Sequence, residues 1–283
     1  MKKNILPYTL LLIFLFTAVI WYAVFTESRN GILTVAFLNV GQGDAIFIEA
    51  PSGNQVLIDG GSGRGVLREL SKVMPFYDRS IDVVIATHPD KDHIGGLPDV
   101  LNNYAVDMFL ESGNANDTGA YRALEEITAE QDIKIVLARR GMKLMLGGGV
   151  YLTILFPDRD VAEVESNTAS IVAQLVYGDT KFLLMGDSPK SIEKYLFSVM
   201  GKSLESDVLK VGHHGSKTSS DESFIGITSP QYAVISAGKD NRYGHPHEEV
   251  IDILKQFEVE TINTAESGRI VFTSDGRSVG IKK

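Results

Sequence analysis

Two observations predict an α/β protein, and a third places a membrane segment ahead of it. Short runs rich in Val, Ile and Phe recur along the chain, and segments with a 3.6-residue apolar period separate them. No internal repeat or low-complexity stretch interrupts this alternation. Residues 5–25 carry no charged side chain and follow Lys2-Lys3.

That first apolar stretch is about long enough to span a bilayer core. Trp21, Tyr22 and Phe25 stand where a cleaved signal peptide would have small residues, so an uncleaved single-pass anchor is expected, with secretion after cleavage as the alternative. The two lysines then hold the N-terminus in the cytoplasm and put the remainder outside the cell. The expected division is residues 1–30, anchor and linker, and residues 31–283, one domain. A 283-residue chain that is 44% hydrophobic and 22% charged can bury a sizeable core.

Beyond the linker, residues 33–38, 45–49 and 55–58 read as consecutive strands, with Pro51-Ser52-Gly53-Asn54 as a hairpin turn. Residues 66–74 have a helical pattern, and 81–86 form a β-branched strand run. A helix around residues 97–103, a strand at 108–110, a helix at 121–130 and a strand at 133–137 follow. The centre is β-rich, at 150–155, 171–177 and 181–184, with Gly178-Asp179 joining the last two. The final third reads strand 208–211, helix 221–227, strand 232–236 and helix 248–257.

Chemistry concentrates directly after the run at 81–86. His88, Asp90, Asp92 and His93 put two imidazoles and two carboxylates into six residues, a mixed N/O donor set for a metal ion. Gly95-Gly96 would let the backbone turn tightly before the next helix. A polar loop with Asp92 as helix cap is the plainer reading, and it explains one carboxylate rather than four donors. The chain has no cysteine, which excludes a disulfide framework and thiolate ligands.

At these residues the sequence resembles the metallo-β-lactamase superfamily, whose His-x-His-x-Asp-His signature stands here as His-x-Asp-x-Asp-His. That variant is similar to the competence-protein ComEC group. Leu38-Asn39-Val40-Gly41-Gln42-Gly43-Asp44-Ala45, Leu57-Ile58-Asp59-Gly60-Gly61, Met185-Gly186-Asp187, Leu209-Lys210-Val211-Gly212-His213-His214-Gly215-Ser216 and Asn241-Arg242-Tyr243-Gly244-His245-Pro246-His247 match its motifs in order. The resemblance covers roughly residues 33–281 and leaves out the multi-spanning channel region of full-length competence proteins. It implies a four-layer αβ/βα sandwich and two divalent metal ions, Zn or Mn.

For the metal ligands the resemblance implies His88, Asp90, Asp92, His93, Asp187 and His213. Asp187 would bridge the two ions, although it also suits a helix cap before Pro189. His214 is then left near the metal or the substrate, and the two histidines can exchange roles. Where many relatives place a further histidine, this chain has Asn167-Thr168-Ala169-Ser170, so the first ion would have an oxygen-rich site that accepts Mn²⁺ at least as well as Zn²⁺.

The reaction class implied is hydrolysis, with Asp92, His214, His245 and His247 as the catalytic candidates. Ser216, Lys217, Arg242 and Tyr243 would bind substrate, and His245 or His247 would protonate a leaving alkoxide. Lys210, with Lys239, would add to a basic rim suited to phosphate. The resemblance implies a nuclease on extracellular DNA, with hydrolysis of another ester, lactone or β-lactam, or a non-catalytic DNA-binding role, as alternatives. The formal net charge is −9, and the residues beyond the linker are more acidic still, because Lys2, Lys3 and Arg29 precede them. That charge argues against an extended duplex-gripping surface, and a short or single strand is the expected nucleic-acid partner. No protein partner is indicated.

Overall fold

The computed structural model describes residues 6–27 and 31–282. Helix α1 (Leu6–Glu27) precedes the domain. Its side chains are described from Leu6 to Trp21, and they are exposed. Among the described residues no helix is long and apolar enough to cross a membrane. The structure therefore gives the expected transmembrane anchor no support.

The domain is built on two sheets. The first has eight strands in the order β15-β14-β1-β2-β3-β4-β5-β6: β1 (Leu33–Phe37), β2 (Ile46–Glu49), β3 (Gln55–Ile58), β4 (Ser80–Ala86), β5 (Ala105–Glu111), β6 (Lys134–Leu137), β14 (Ile270–Ser274) and β15 (Val279–Ile281). The second has seven, in the order β13-β12-β11-β10-β9-β8-β7: β7 (Lys143–Gly147), β8 (Val150–Phe156), β9 (Val172–Tyr177), β10 (Thr180–Leu184), β11 (Val208–Lys210), β12 (Tyr232–Ile235) and β13 (Glu260–Asn263).

Side-chain alternation along the strands separates the layers. Val35, Phe37, Ile46, Ile48, Val83 and Ile85 point between the sheets and meet Leu152, Ile154, Leu175, Phe182 and Leu184. The intervening Ala36, Phe47 and Val84 face outward against α2 (Gly65–Val73), α4 (Leu97–Asn103) and α5 (Gly119–Glu130). On the second sheet Leu183, Leu209, Ala233 and Ile235 face α6 (Lys190–Met200), α7 (Glu222–Thr228) and α8 (Glu248–Gln256). The result is helices, sheet, sheet, helices, the four-layer α/β sandwich expected.

Strands β3 to β6 run parallel, as do β10 to β13. Their carboxyl ends collect on one edge of the sandwich, where open α/β sheets bind ligands. Four strands went unread in the sequence: β7, β13, β14 and β15. Met145 and Glu260 are exposed and blur the alternation that would have marked β7 and β13.

Gly95 and Gly96 serve differently from the expectation. Both have helical φ, −60° and −93°, so neither makes a left-handed turn. A Cβ on Gly96 would lie 2.2 Å from the Gly60 carbonyl oxygen, and the absent side chain permits that approach.

Candidate metal centre

Strand β4 ends at Ala86, and one turn of helix, α3 (Lys91–Ile94), follows almost at once. His88 and His93 are both buried there, and their rings lie 4.0 Å apart. Asp92 does not cap either helix: Asp90 precedes α3, Gly96 precedes α4, and neither start has a side-chain cap. Asp187 is likewise no cap, since α6 begins after Pro189 without one. The plainer readings of these two carboxylates are thereby removed.

Asp187 emerges three residues after β10, with its backbone N–H donated to Ser170 Oγ at 3.2 Å. After β11, His213 and His214 both adopt left-handed backbone (φ 48° and 54°). Two successive non-glycine residues in that region are strained, and the turn separates the two rings. His214 is buried. Its Nε2 lies 3.3 Å from Asp187 Oδ2, 3.5 Å from Asp92 Oδ2 and 3.3 Å from His93 Nε2. His93 Nε2 is 3.2 Å from Asp187 Oδ1.

The expected ligand His213 stands farther off. Its Nε2 is 3.9 Å from Asp187 Oδ2, and its Nδ1 pairs with Thr218 Oγ1 at 2.9 Å. The structure thus brings His214, not His213, into contact with Asp92 and His93. The left-handed turn aims the second ring of the pair inward, which strand alternation alone does not foresee.

These spacings fit a divalent cation. Four tetrahedral donors at about 2.0–2.1 Å from an ion lie roughly 3.3–3.4 Å from one another, close to the four separations just given, three from His214 Nε2 and one between His93 and Asp187. His88 Nε2 and Asp187 Oδ1 are buried without a hydrogen-bond partner, and an ion would satisfy both. His88 Nε2 lies 3.8 Å from Asp90 Oδ2, while Asp90 Oδ1 accepts from Ser166 at 2.7 Å. His88 and Asp90, with Asp187, would hold one ion; Asp92, His93 and His214, with Asp187, would hold the other.

The surrounding contacts fix which ring nitrogen faces the ion. Asp59 Oδ2 pairs with His93 Nδ1 at 2.7 Å, and the same carboxylate takes the Thr87 N–H and hydroxyl at 2.8 and 2.7 Å. His214 Nδ1 faces the Ser236 carbonyl at 2.9 Å and Asp44 Oδ1 at 3.5 Å. Asp44 belongs to a buried group with His93, Asp187 and His214 whose donor atoms lie within 4.8 Å of one another. It sits behind the His214 ring, however, and Lys210 Nζ holds its other oxygen at 2.7 Å, so it supports the ligands rather than joining them. His88 Nδ1 pairs with the hydroxyls of Thr87 and Ser170, at 3.0 and 3.2 Å.

Charge is concentrated to match. Burial alone would push the His93 and His214 pKa values down, but Asp187 with Asp59 or Asp44 outweighs it and holds both well above the ordinary value. Burial alone would raise the Asp187 carboxyl, and His214 and His93 hold it well below the usual range. A bound cation would replace the protons that this excess of carboxylate otherwise retains. Burial and the neighbouring His93 lower His88 to about 4, leaving its imidazole neutral and able to ligate.

A metallo-β-lactamase superfamily model matches residues 38–239. The chain belongs to that superfamily. It also matches the ComEC group of its sequence resemblance, being 31% identical over 261 residues to ComE operon protein 3 of Bacillus subtilis, which covers 86% of this chain and 33% of that protein. Recombination protein 2 of Haemophilus influenzae is 32% identical over 238 residues, 82% of this chain and 28% of the other. The chain therefore spans about a third of the length of these relatives. Among solved structures, the metallo-β-lactamase fold protein YhfI of Bacillus subtilis aligns with TM-score 0.58 at 14% identity, covering 86% of this chain and 99% of that one, a likeness of fold.

The remaining sequence candidates lie around this superfamily site with differing exposure. His245 is 5.6 Å from His213 and 6.2 Å from His214, ring to ring, and Tyr243 stacks on it at 5.6 Å. Burial and the two neighbouring imidazoles lower it to about 4, so it is neutral near pH 7 and poorly suited to the expected proton donation. A bound cation would act on it in the same direction. The His247 ring is 5.0 Å from His245, and its Nδ1 accepts the Lys217 N–H at 3.2 Å. Ser216 is buried, and its hydroxyl oxygen accepts from Thr218 Oγ1 at 3.0 Å. It supports the Thr218–His213 contact.

Lys210 is fully buried, not part of a basic rim. The supporting roles of Asp44, Asp59, Thr87 and Ser170 escaped the sequence reading. The available signal was an acidic residue directly following the apolar run 56–58, in the case of Asp59.

Proposed function

We propose that the chain is a metal-dependent phosphodiesterase that cuts short or single-stranded DNA outside the cell. The observation that carries this reading is the convergence on His214 Nε2 of Asp92, His93 and Asp187 at 3.3–3.5 Å, with His93 Nε2 3.2 Å from Asp187, and with Arg242 and Tyr243 exposed beside it. Two bound divalent ions would supply Lewis acidity and lower the pKa of a water between them. Asp187 would position both ions. His245, neutral, would accept a hydrogen bond from substrate or water. The half-buried His247 would be the proton donor to the leaving oxygen. Arg242 would pair with a phosphate through its planar guanidinium. Likeness to the ComEC group favours DNA over a lactam.

The N-terminal helix would tether the domain to the outer face of the cell membrane, a reading that rests on the apolar sequence of residues 5–25. Extraction of membranes at alkaline pH tests it, since a peripheral protein would be released.

The activity is tested with fluorescent single- and double-stranded DNA supplied with Mn²⁺ or Zn²⁺, beside an Asp92→Ala/His93→Ala variant. Metal-dependent cutting absent from the variant is the expected result. Metal binding without cutting, together with turnover of a chromogenic lactam or lactone, would replace the nuclease reading with that of another hydrolase.

A further inference from the structure

Beside Asp92, on the solvent side, lies an open cavity of about 310 Å³ lined by Gln42, Lys91, Asn241, Arg242 and Tyr243, among others. Its volume is at the lower end of small-molecule sites. Lys91 is exposed, and neither its ammonium nor the Arg242 guanidinium has an acidic partner among the described residues. Two uncompensated cations facing one cavity are informative in a chain of net charge −9. Among the described residues the only carboxylate lining the cavity is Asp92, which faces His214 at 3.5 Å.

A planar group shares this wall. Tyr243 is half-exposed, its ring held nearly parallel to His245 (20°) and covered by Arg242 at 5.0 Å. Gln42 adds a spare donor: its oxygen accepts the Gly238 N–H at 3.2 Å, whereas its Nε2 is buried without a partner. Arg242 also donates to the Tyr243 hydroxyl at 2.8 Å, and its turning toward a phosphate would free the ring beneath it; cations, a half-exposed aromatic ring and an unused amide donor together suit a ligand that joins an anion to a flat ring.

We propose that this cavity is a nucleotide subsite, with the phosphate between Lys91 and Arg242 and an unpaired base on Tyr243. The assignment rests on the DNA-cleaving reading and extends it to a strand whose terminal or flanking base is unstacked. Base–aromatic stacking tolerates any base, so the subsite selects single-stranded character rather than sequence. Lys91 is the residue newly drawn in: it sits one position before Asp92, so a phosphate that it holds lies next to the metal centre.

The test is equilibrium dialysis of labelled 5′-dTMP against the full chain in EDTA, beside deoxyribose 5-phosphate and thymidine. Metal-free binding keeps the measurement separate from catalysis. We expect 5′-dTMP to bind more tightly than either fragment. Tyr243→Ala should weaken it about five- to 150-fold, the worth of one stacked base, without changing deoxyribose 5-phosphate. Lys91→Ala and Arg242→Ala should weaken both phosphate-bearing probes and flatten their salt dependence. Equal binding of 5′-dTMP and deoxyribose 5-phosphate, or a neutral Tyr243→Ala, would overturn the subsite. The expected pattern without DNA cleavage would leave the subsite standing and remove the nuclease reading; cleavage without 5′-dTMP binding would do the reverse.

Discussion

The donor cluster has a tight end and an open end, and they are supported by different chemistry. At the tight end His214 Nε2 lies 3.3–3.5 Å from donors of Asp92, His93 and Asp187, and His93 Nε2 lies 3.2 Å from Asp187. Carboxylates stand behind both imidazoles, Asp59 at His93 and Asp44 at His214. At the open end His88 and Asp90 are 3.8 Å apart, His88 is supported by two hydroxyls, and Asp90 is shared with Ser166. Charged supports fix a ring and raise its basicity more than neutral ones. The two ends should therefore fill at different metal concentrations, the tight end first.

The largest expected effect comes from breaking the charge behind the tight end. Lys210→Met removes the buried ammonium from one oxygen of the buried Asp44 carboxylate and leaves it His214 alone; burial alone would push that carboxyl up, and Lys210 and His214 together hold it well below its usual range. We expect a loss of about 3–5 kcal/mol in urea unfolding, largely recovered in Lys210→Met/Asp44→Leu. At the open end Ser170→Ala removes only hydroxyl contacts and should cost about 1 kcal/mol. Equal costs would erase the distinction between the ends.

Next in size is the difference between the adjacent histidines. His214→Ala should lower the affinity for the first equivalent of Zn²⁺ by at least about 100-fold, as loss of a ligand exceeds loss of a supporting contact. His213→Ala should change it less than tenfold, roughly 1.4 kcal/mol. Competition titration with a chelating dye measures both, and a larger effect for His213→Ala would reverse the assignment of the tight end.

That pair also shows where the sequence was readable. His88, Asp90, Asp92 and His93 announce themselves because four donors fall within six residues after a strand, a local pattern that needs only the strand end to become a cluster. The alternation of Val35, Ala36 and Phe37 likewise gives the sandwich its two faces directly. Which of His213 and His214 turns inward depends on backbone dihedrals near +50°, set by the packing of β11 against its neighbours rather than by residue type. Lys210 read as a surface cation for the same reason. Its partner Asp44 lies 166 positions away, and pairing over such a distance exists only once both sheets are in place.

Asp59→Asn probes the support of His93 and should be milder than removing a ligand. The amide retains one acceptor but loses the charge that orients the Nδ1–H, and the Thr87 hydroxyl and N–H share the same group. A fall of about 10–100-fold in affinity for the first metal equivalent is expected, with the second equivalent little affected. If both equivalents weakened together, the two ends would be a single cooperative unit.

The last contrast concerns the loop beside the cluster and is a matter of pH. Glu193 on α6 accepts the N–H groups of Ser220 and Asp221 at 2.8 and 2.7 Å and so anchors the segment that carries Thr218, the partner of His213. Burial, aided by Asp221 and opposed by those hydrogen bonds and by Lys190, raises its pKa from about 4.5 to about 7. Because the folded value lies above the unfolded one, its contribution to stability is fully present below pH about 4.5 and is lost as pH rises through about 7. Glu193→Gln is neutral throughout, so the stability of the native chain minus that of the variant should fall between pH 5 and pH 8 when both are unfolded by urea in EDTA. A flat difference would mean that the two N–H donors suffice to keep the carboxylate ionised in the fold. Glu193 would then hold the loop by charge, as Asp59 holds His93, and the contrast between charged and neutral supports would extend beyond the metal ligands to the rim.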